Sequence, residues 1–358
     1  MMASAESDGH CAVTTIIVPC KSTCSRYYQT LAIYRSAVRG RLGDGDAKSM
    51  IGEVMTVSIE CVLECDNHLG EGPVWDVDEG RLYWLDCTGP RFGKKAVWRM
   101  DPKTGKVENW DLPKDIGAMA LRRNGGAVAA MCDGFYFFDF DNGQLDLIQE
   151  VDAEITRTRL NDGKVDRRGR FFVGGMDDKE ELKNCGLWRL NGDLSVTKVD
   201  DGIMCANGPC WSPDDKTFYL ADTFQNEFWA YDYNIEDGSV SNKRVFATTH
   251  DDVGVADGST VDEEGYLWNA QLISGDLVRY APDGTVERRI GMPVANITSV
   301  MFGGKDLDVL YVTSMARVKH PAVHDMFQVQ SKPQFLAGSL FAVRGLGIRG
   351  LPEPRFAG

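Results

Sequence analysis

Residues 72–86 read GPVWDVDEGRLYWLD, in which two short apolar segments flank an acidic turn that ends in a glycine. Apolar runs of this length are typical of β-strands, and a turn that tolerates positive φ closes a hairpin between them. The same phrase recurs along the chain, with starts roughly 40 to 50 residues apart. The further copies are Ala118–Ala130, Asp162–Gly175, Gly208–Asp222, Gly258–Ala270 and Ser299–Thr313.

The spacing of these copies predicts the architecture. A period of roughly 40 to 50 residues holds one four-stranded antiparallel sheet, and a ring of such sheets leaves only short, protected edges. Six copies therefore predict an all-β fold, a six-bladed β-propeller of four-stranded antiparallel blades over residues 55–358. A pair of β-sandwiches would explain the turns but not six near-copies at even spacing. Helical patterns are scarce, and neither a Rossmann-type glycine loop nor Gly-x-Ser-x-Gly occurs.

Composition limits the classes of partner. The chain has 358 residues, 43% of them hydrophobic, and a formal net charge of −14. This charge argues against nucleic acid as a partner, because nucleic-acid binding requires a basic face. No apolar run approaches the ~20 residues of a membrane span, and the start lacks the pattern of a signal peptide. We expect a cytoplasmic protein that binds neither nucleic acid nor membrane, with residues 1–54 as a disordered extension or an annotation artefact.

The ten cysteines do not form the dense short-loop framework of disulfide-rich secreted domains. Most of them lie in apolar, strand-like runs, and no two pairs have the spacing of a structural zinc site. We therefore expect buried thiols at Cys61, Cys87, Cys132, Cys185, Cys205 and Cys210.

Four of the phrases open on a polar residue with a side-chain oxygen. The residues are Glu71, Asn161, Asn207 and Asp257. Because the first strand of each propeller blade lines the central channel, these side chains should converge at one end of the axis. Any one of them alone would be explained as a turn residue. Four in the same register favour a site for one divalent cation, since such oxygens suit calcium, magnesium or manganese, and zinc is compatible with carboxylate and water.

Several motifs in fixed order make the chain recognisable. They are LGEGPVW (residues 69–75), RLNDGKVD (159–166), NGP with SPD (207–209 and 212–214), and DGS with VD (257–259 and 261–262). Together they resemble the SMP-30, gluconolactonase and luciferin-regenerating-enzyme family, from about Val57 to the C-terminus. Among its members, the chain looks most similar to bacterial lactonases that act on sugar lactones.

The resemblance implies a function and the residues that perform it. Glu71, Asn207 and Asp257 would be the metal ligands, Asp257 would also accept and donate the proton, and Arg159 and Asn161 would hold the substrate. The implied enzyme is a lactonase that hydrolyses an aldonolactone to the open-chain acid. The chemistry agrees, since a cation polarises the carbonyl while a carboxylate takes the proton of the attacking water. Two alternatives are a calcium-binding, regulatory or interaction propeller, and a hydrolase of organophosphates or aryl esters.

The chain departs from the family pattern at two places. Many members carry a glutamate where this sequence has Lys179, and that glutamate also contacts the substrate. The residue before the catalytic aspartate is usually proline and here is Ala256, so the loop that presents Asp257 is expected to be less rigid.

Overall fold

A computed structural model describes residues 14–19, 28–34, 55–87, 95–152, 154, 157–316 and 335–358. In chain order, the strands are Thr14–Pro19 (β1), Tyr28–Tyr34 (β2), Met55–Leu63 (β3), Gly70–Asp76 (β4), Arg81–Asp86 (β5), Ala96–Met100 (β6), Val107–Asp111 (β7), Ile116–Leu121 (β8), Ala127–Met131 (β9), Gly134–Phe138 (β10), Leu145–Glu150 (β11), Thr158–Val165 (β12), Phe171–Asp177 (β13), Cys185–Leu190 (β14), Val196–Ile203 (β15), Ala206–Trp211 (β16), Thr217–Asp222 (β17), Glu227–Asn234 (β18), Ser239–Thr248 (β19), Val255–Val261 (β20), Leu267–Leu272 (β21), Asp276–Tyr280 (β22), Val286–Gly291 (β23), Ile297–Gly303 (β24), Val309–Ser314 (β25) and Leu340–Arg344 (β26). A 3₁₀ turn, Thr223–Gln225, follows β17. None of the described residues belongs to a helix that could cross a membrane.

Within the described residues, the strands form six antiparallel sheets, and each predicted phrase is confirmed as the first two strands of one blade. Blades one to five are β4–β7, β8–β11, β12–β15, β16–β19 and β20–β23. Blade six consists of β24, β25, β26 and β3, and β2 and β1 extend its outer edge. The all-β, six-bladed propeller predicted from the repeat is therefore confirmed.

The ring closes through a strand that precedes the first blade. β3 pairs antiparallel with β26, with Ile59 opposite Val343, and the inner strand of blade six contacts that of blade one. This closure leaves the sheets of the ring without a long exposed edge between first and last blade. Apart from β1 and β2, residues 1–54 lie outside the described residues, so the expectation for that segment stays a prediction.

The turns that join the first two strands of each blade have the backbone expected of them. Gly80 has a φ of 65° and Asp215 a φ of 57°, the left-handed conformation that glycine, asparagine and aspartate adopt most readily. Each tight turn returns the chain beside the inner strand, which keeps the openings of the phrases at one end of the channel.

The apolar core lies mainly between neighbouring blades. Trp211 of blade four packs on Phe172 of blade three, with ring centroids 5.3 Å apart, and Trp75 of blade one stacks on Tyr311 of blade six at 5.7 Å. Such aromatic pairs add to the stabilisation from buried area. The predicted thiols are free, and of these Cys132 is half-buried whereas the others are buried: Cys61, Cys87, Cys185, Cys205 and Cys210.

The last residues of the chain cross the end of the channel opposite to the phrase openings. Glu263 donates its backbone N–H to Arg349 O at 2.9 Å, and Phe356 donates its own to Leu121 O at 2.8 Å. Ala357 adds a third backbone bond, to Gly169 O at 2.9 Å. These bonds tie blades five, two and three to one tail.

Candidate active site

Each inner strand contains a β-bulge at the opening of its phrase. In β4, Glu71 pairs with Leu85 and Val74 with Tyr83, so three steps along β4 oppose two along β5. The inner strands of the other blades also carry one extra residue there. A bulge bends the strand and re-aims the side chain at that point. These bulges put four predicted residues at equivalent places around the channel: Glu71, Asn161, Asn207 and Asp257.

Blades two and six place different residues at the same position. In blade two the residue is Gly117, where a Cβ would lie 2.3 Å from the backbone oxygen of Asn161, a distance that excludes any side chain. In blade six it is Thr298, whose hydroxyl lies 2.9 Å from that of Thr313 and also bonds the backbone oxygen of Gly70. Neither blade supplies a carboxylate or an amide, so the polar site is asymmetric.

Hydrogen bonds join the predicted substrate-binding residues to a predicted ligand. Arg159 Nη1 donates to Asn161 Oδ1 at 2.9 Å, and Asn161 Nδ2 donates to Asn207 Oδ1 at 2.9 Å. Arg159 is held further by a bond from Nη1 to Leu160 O at 3.1 Å. Asn207 is 6% exposed and the Arg159 side chain 17%. The structure thus brings these three side chains together as one connected group.

The half-buried Glu71 and the buried Asp162 and Asp257 share the same region. Burial, with the charge of Asp162 added, raises the pKa of the Glu71 carboxyl to about 8, although the Gly72 N–H and Arg159 oppose the shift. Burial and then the charges of Glu71 and Asp162 raise the pKa of Asp257 well above its usual range. Like charges that cannot be solvated favour the protonated form in this way. Asp162 acts on both carboxyls and Glu71 acts on Asp257, so the three acids lie in one region of the channel.

These donors fit a hard divalent cation. Glu71 and Asp257 offer carboxylate oxygens whose repulsion a positive charge would relieve, and Asn207 offers an amide oxygen. Within the part of the chain that the structure describes, no group of three His, Cys, Asp or Glu residues is arranged to hold a metal. The set would therefore comprise two acids and an amide, with water completing the coordination. Histidine and cysteine ligands, which zinc and copper prefer, are not part of it.

An aspartate lies where the family pattern is broken. Asp178 Oδ1 is 3.4 Å from Arg159 Nε, whereas the neighbouring Lys179 is exposed to solvent. The acid that accompanies Arg159 is thus one residue earlier in the chain than the family glutamate. Arg157, which immediately precedes β12, pairs with Asp177 instead.

Two residues of the site were missed at the sequence level. Asp162 is buried beside Asn161 and accepts the N–H groups of Gly163 and Gly208, both at 2.7 Å. In the aligned phrases, Asp162 occupies a position at which three other blades have glycine. An acid at a position of glycine could have marked Asp162 as a site residue. Thr223 accepts a bond from Asn207, but it lies in the 3₁₀ turn outside every phrase, where no repeat pattern marks it.

Comparisons with known proteins extend over most of the chain. Residues 69–316 match the model of the SMP-30/Gluconolactonase/LRE-like region. Regucalcin from Xenopus laevis is 35% identical over 309 residues, which cover 85% of this chain and 99% of that protein. A 6-deoxy-6-sulfogluconolactonase from Pseudomonas putida is 33% identical over 306 residues, or 85% and 100% of the two chains. The crystal structure of a calcium-binding protein, regucalcin, from Agrobacterium tumefaciens superposes with a TM-score of 0.73 at 28% identity and covers 83% of this chain and 96% of that one.

Proposed function

We propose that this protein, which belongs to the SMP-30/gluconolactonase/LRE-like family, hydrolyses a sugar-derived lactone to the open-chain acid with the help of one divalent cation. The family that the motifs indicated is confirmed, and the activity within it is our proposal. One observation carries it. The half-buried Glu71 and the buried Asp257 lie with Asp162 in one region where like charges raise the pKa of both carboxyls, beside the connected side chains of Arg159, Asn161 and Asn207.

Glu71, Asn207 and Asp257 would hold the cation, which is calcium, magnesium, manganese or zinc. When bound, such a cation polarises a carbonyl oxygen and favours the ionised form of neighbouring carboxyls. Without a cation, burial and the charges of Glu71 and Asp162 favour the protonated form of Asp257, a residue that is 6% exposed. Only the ionised carboxylate can accept a proton, so cation binding and catalytic competence are linked.

Asp257 would move the proton in both halves of the reaction. As a water oxygen forms its bond to the lactone carbonyl carbon, the carboxylate accepts one of the water protons. When the ring C–O bond breaks, Asp257 returns that proton to the departing alkoxide oxygen. One water is consumed, the carboxyl of the enzyme is restored and the product is a hydroxy acid.

Arg159 and Asn161 would orient the substrate. The guanidinium carries five N–H donors in a fixed fork, which suits the hydroxyls of a sugar and the carboxylate that develops. Asn161 supplies an amide at the same place. Its bond to Asn207 links the proposed substrate-binding residues, Arg159 and Asn161, to the proposed cation ligands. The names of two relatives, a sulfogluconolactonase and a calcium-binding protein, support a lactone substrate and a divalent cation respectively.

The test is acid release from lactones by the purified full chain. Protein treated with a chelator would be given calcium, magnesium, manganese or zinc in turn, with gluconolactone, arabinonolactone and xylonolactone as substrates and a pH indicator as readout. We expect release above the enzyme-free rate for at least one lactone, lost again on chelation. No cation-dependent release from any of the three would overturn the proposal. Cation binding without hydrolysis would favour a calcium-binding role, and faster turnover of an aryl ester or organophosphate would favour the other alternative.

A further inference from the structure

The hydrogen bonds around Asn207 run in one direction across three blades. After Arg159 and Asn161, the chain continues as Asn207 Nδ2 donates to Thr223 Oγ1 at 2.7 Å. Thr223 Oγ1 then donates to the backbone oxygen of Ala256 at 2.8 Å. Ala256 immediately precedes Asp257. This chain of bonds therefore reaches from Arg159, a proposed substrate-binding residue, to the backbone that carries the proposed base.

The two ends of this chain fix its direction. A guanidinium can only donate and a backbone oxygen can only accept. Because the single hydroxyl hydrogen of Thr223 goes to Ala256 O, Thr223 can only accept from Asn207, which must present its nitrogen there. The Asn207 oxygen is thereby turned to the opposite side. Asn161 has a second anchor of the same kind, since its Nδ2 also donates to Ala206 O at 2.9 Å.

Thr223 is built into a rigid part of the fold. Its side chain belongs to a residue only 3% exposed, so water has no access to replace the hydroxyl. The backbone N–H of Thr223 donates to Cys205 O at 3.0 Å, and the Asp222 carboxylate accepts the N–H groups of Met204 and Cys205 at 2.9 and 3.1 Å. The Cys205 thiol, 3.6 Å from Asn207 Nδ2, is a weaker acceptor for the same amide.

We propose that Thr223 is a positioning residue: its hydroxyl holds the Asn207 amide with the oxygen toward the cation, and it holds the Ala256 backbone that presents Asp257. The inference rests on the proposed function, because it assigns Asn207 and Asp257 to the cation. It also explains how Asp257 is presented without the proline usual in the family. A hydrogen bond from Thr223 to the backbone oxygen substitutes for the rigidity of a proline ring.

The experiment compares calcium and manganese binding to the chelator-treated full chain by calorimetry. Thr223→Val keeps the side-chain shape and removes the hydroxyl, and we expect cation affinity to fall about 10- to 100-fold, as is typical when a group that orients a ligand is lost. Thr223→Ser keeps the hydroxyl and should remain within about threefold of wild type. The matched control is Thr313→Val, which removes an equally buried hydroxyl in blade six and should leave cation affinity unchanged.

The possible results distinguish a failure of this inference from a failure of the proposed function. If the wild type binds the cation and Thr223→Val binds it equally well, this inference alone is overturned. The same holds if Thr223→Ser loses as much cation affinity as Thr223→Val, or if Thr313→Val loses as much. Absence of binding by wild type would overturn the proposed function and this inference with it. Thermal melts in chelator report whether each variant is folded, and Thr223→Ala takes the place of Thr223→Val if that variant does not fold.

Discussion

At the end of the channel where the phrases open, acids with raised pKa values lie together, whereas at the opposite end the C-terminal residues neutralise the charges they meet. Arg355 lies 2.7 Å from Asp76 and 3.3 Å from Asp78. Asp257, in contrast, faces the like charges of Glu71 and Asp162, and at Glu71 the charge of Arg159 only partly opposes the effects of burial and of Asp162. Buried like charges cost stability and persist where a ligand supplies the opposite charge. The difference separates a binding end from a structural end within one repeated scaffold.

The largest expected effect is on activity at the binding end. Asp257→Ala removes both a cation ligand and the proton acceptor, so kcat/KM should fall by at least about 10³-fold while the fold is kept. Initial rates of lactone opening and circular dichroism measure the two properties. Asp78→Ala, which removes an exposed acid at the structural end, is the control and should turn over normally. Residual activity within tenfold of wild type in Asp257→Ala would contradict its assigned role.

At the structural end, the expected effect is on stability. Phe356 is fully buried in the apolar cluster between blades two and three, and Phe356→Ala should lower the free energy of unfolding by about 3–5 kcal/mol. Under folding conditions its cation affinity should match wild type. Denaturant melts and calorimetry test this, with the exposed Val245→Ala as a substitution expected to change stability by less than about 0.5 kcal/mol. If Phe356→Ala lost cation affinity but not stability, the assignment of binding to one end of the channel and of stability to the other would be contradicted.

A smaller effect on activity is expected from substitution of a proposed substrate-binding residue. Asn161→Ala, assayed at saturating cation, should raise KM about tenfold and change kcat less, because it removes contacts made already in the bound ground state. The exposed Asn142→Ala in blade two should leave both constants unchanged. Small and equal effects of Asn161→Ala and Asp257→Ala would contradict the roles given to them.

The smallest effect concerns the raised pKa of Glu71. Without cation, folded Glu71 keeps a proton that the unfolded chain has already lost, so its contribution to stability is fully present below about pH 4.5 and is lost as the pH rises through about 8. Glu71→Gln should therefore be more stable than wild type at pH 8, by an amount on the order of 1 kcal/mol since the side chain is only half-buried, and similar to it near pH 4.

Chelated melts across this pH range measure the difference. Glu79→Gln, an exposed glutamate in the turn at the other end of blade one, should show no such gain. A Glu71→Gln variant less stable than wild type at pH 8 would contradict the raised pKa of Glu71. In the presence of calcium the order should reverse, because the cation stabilises only a folded protein that retains its ligand.

Much of the fold and part of the site could be predicted from the sequence. Hairpin turns and strand patterns are local, so the phrase at Gly72–Asp86 and its copies sufficed to predict the blades. The register of Glu71, Asn161, Asn207 and Asp257 within the phrases predicted their convergence. Asp162 could have been noticed because three other blades have glycine at its position, whereas Thr223 lies outside the phrases and its role depends on neighbours in other blades.

By itself, the sequence determined the all-β ring, the number of its blades and which polar residues open the inner strands, because each of these depends on contacts within one hairpin. Only the tertiary structure decided the direction of the hydrogen bonds, the proximity of the acids and the attachment of the C-terminal residues to three blades at one channel end. Asn161 and Asn207 are 46 residues apart and Thr223 reaches Ala256 across 33. Such contacts form only when the ring closes, because only then do side chains from separate blades lie next to each other around the central channel.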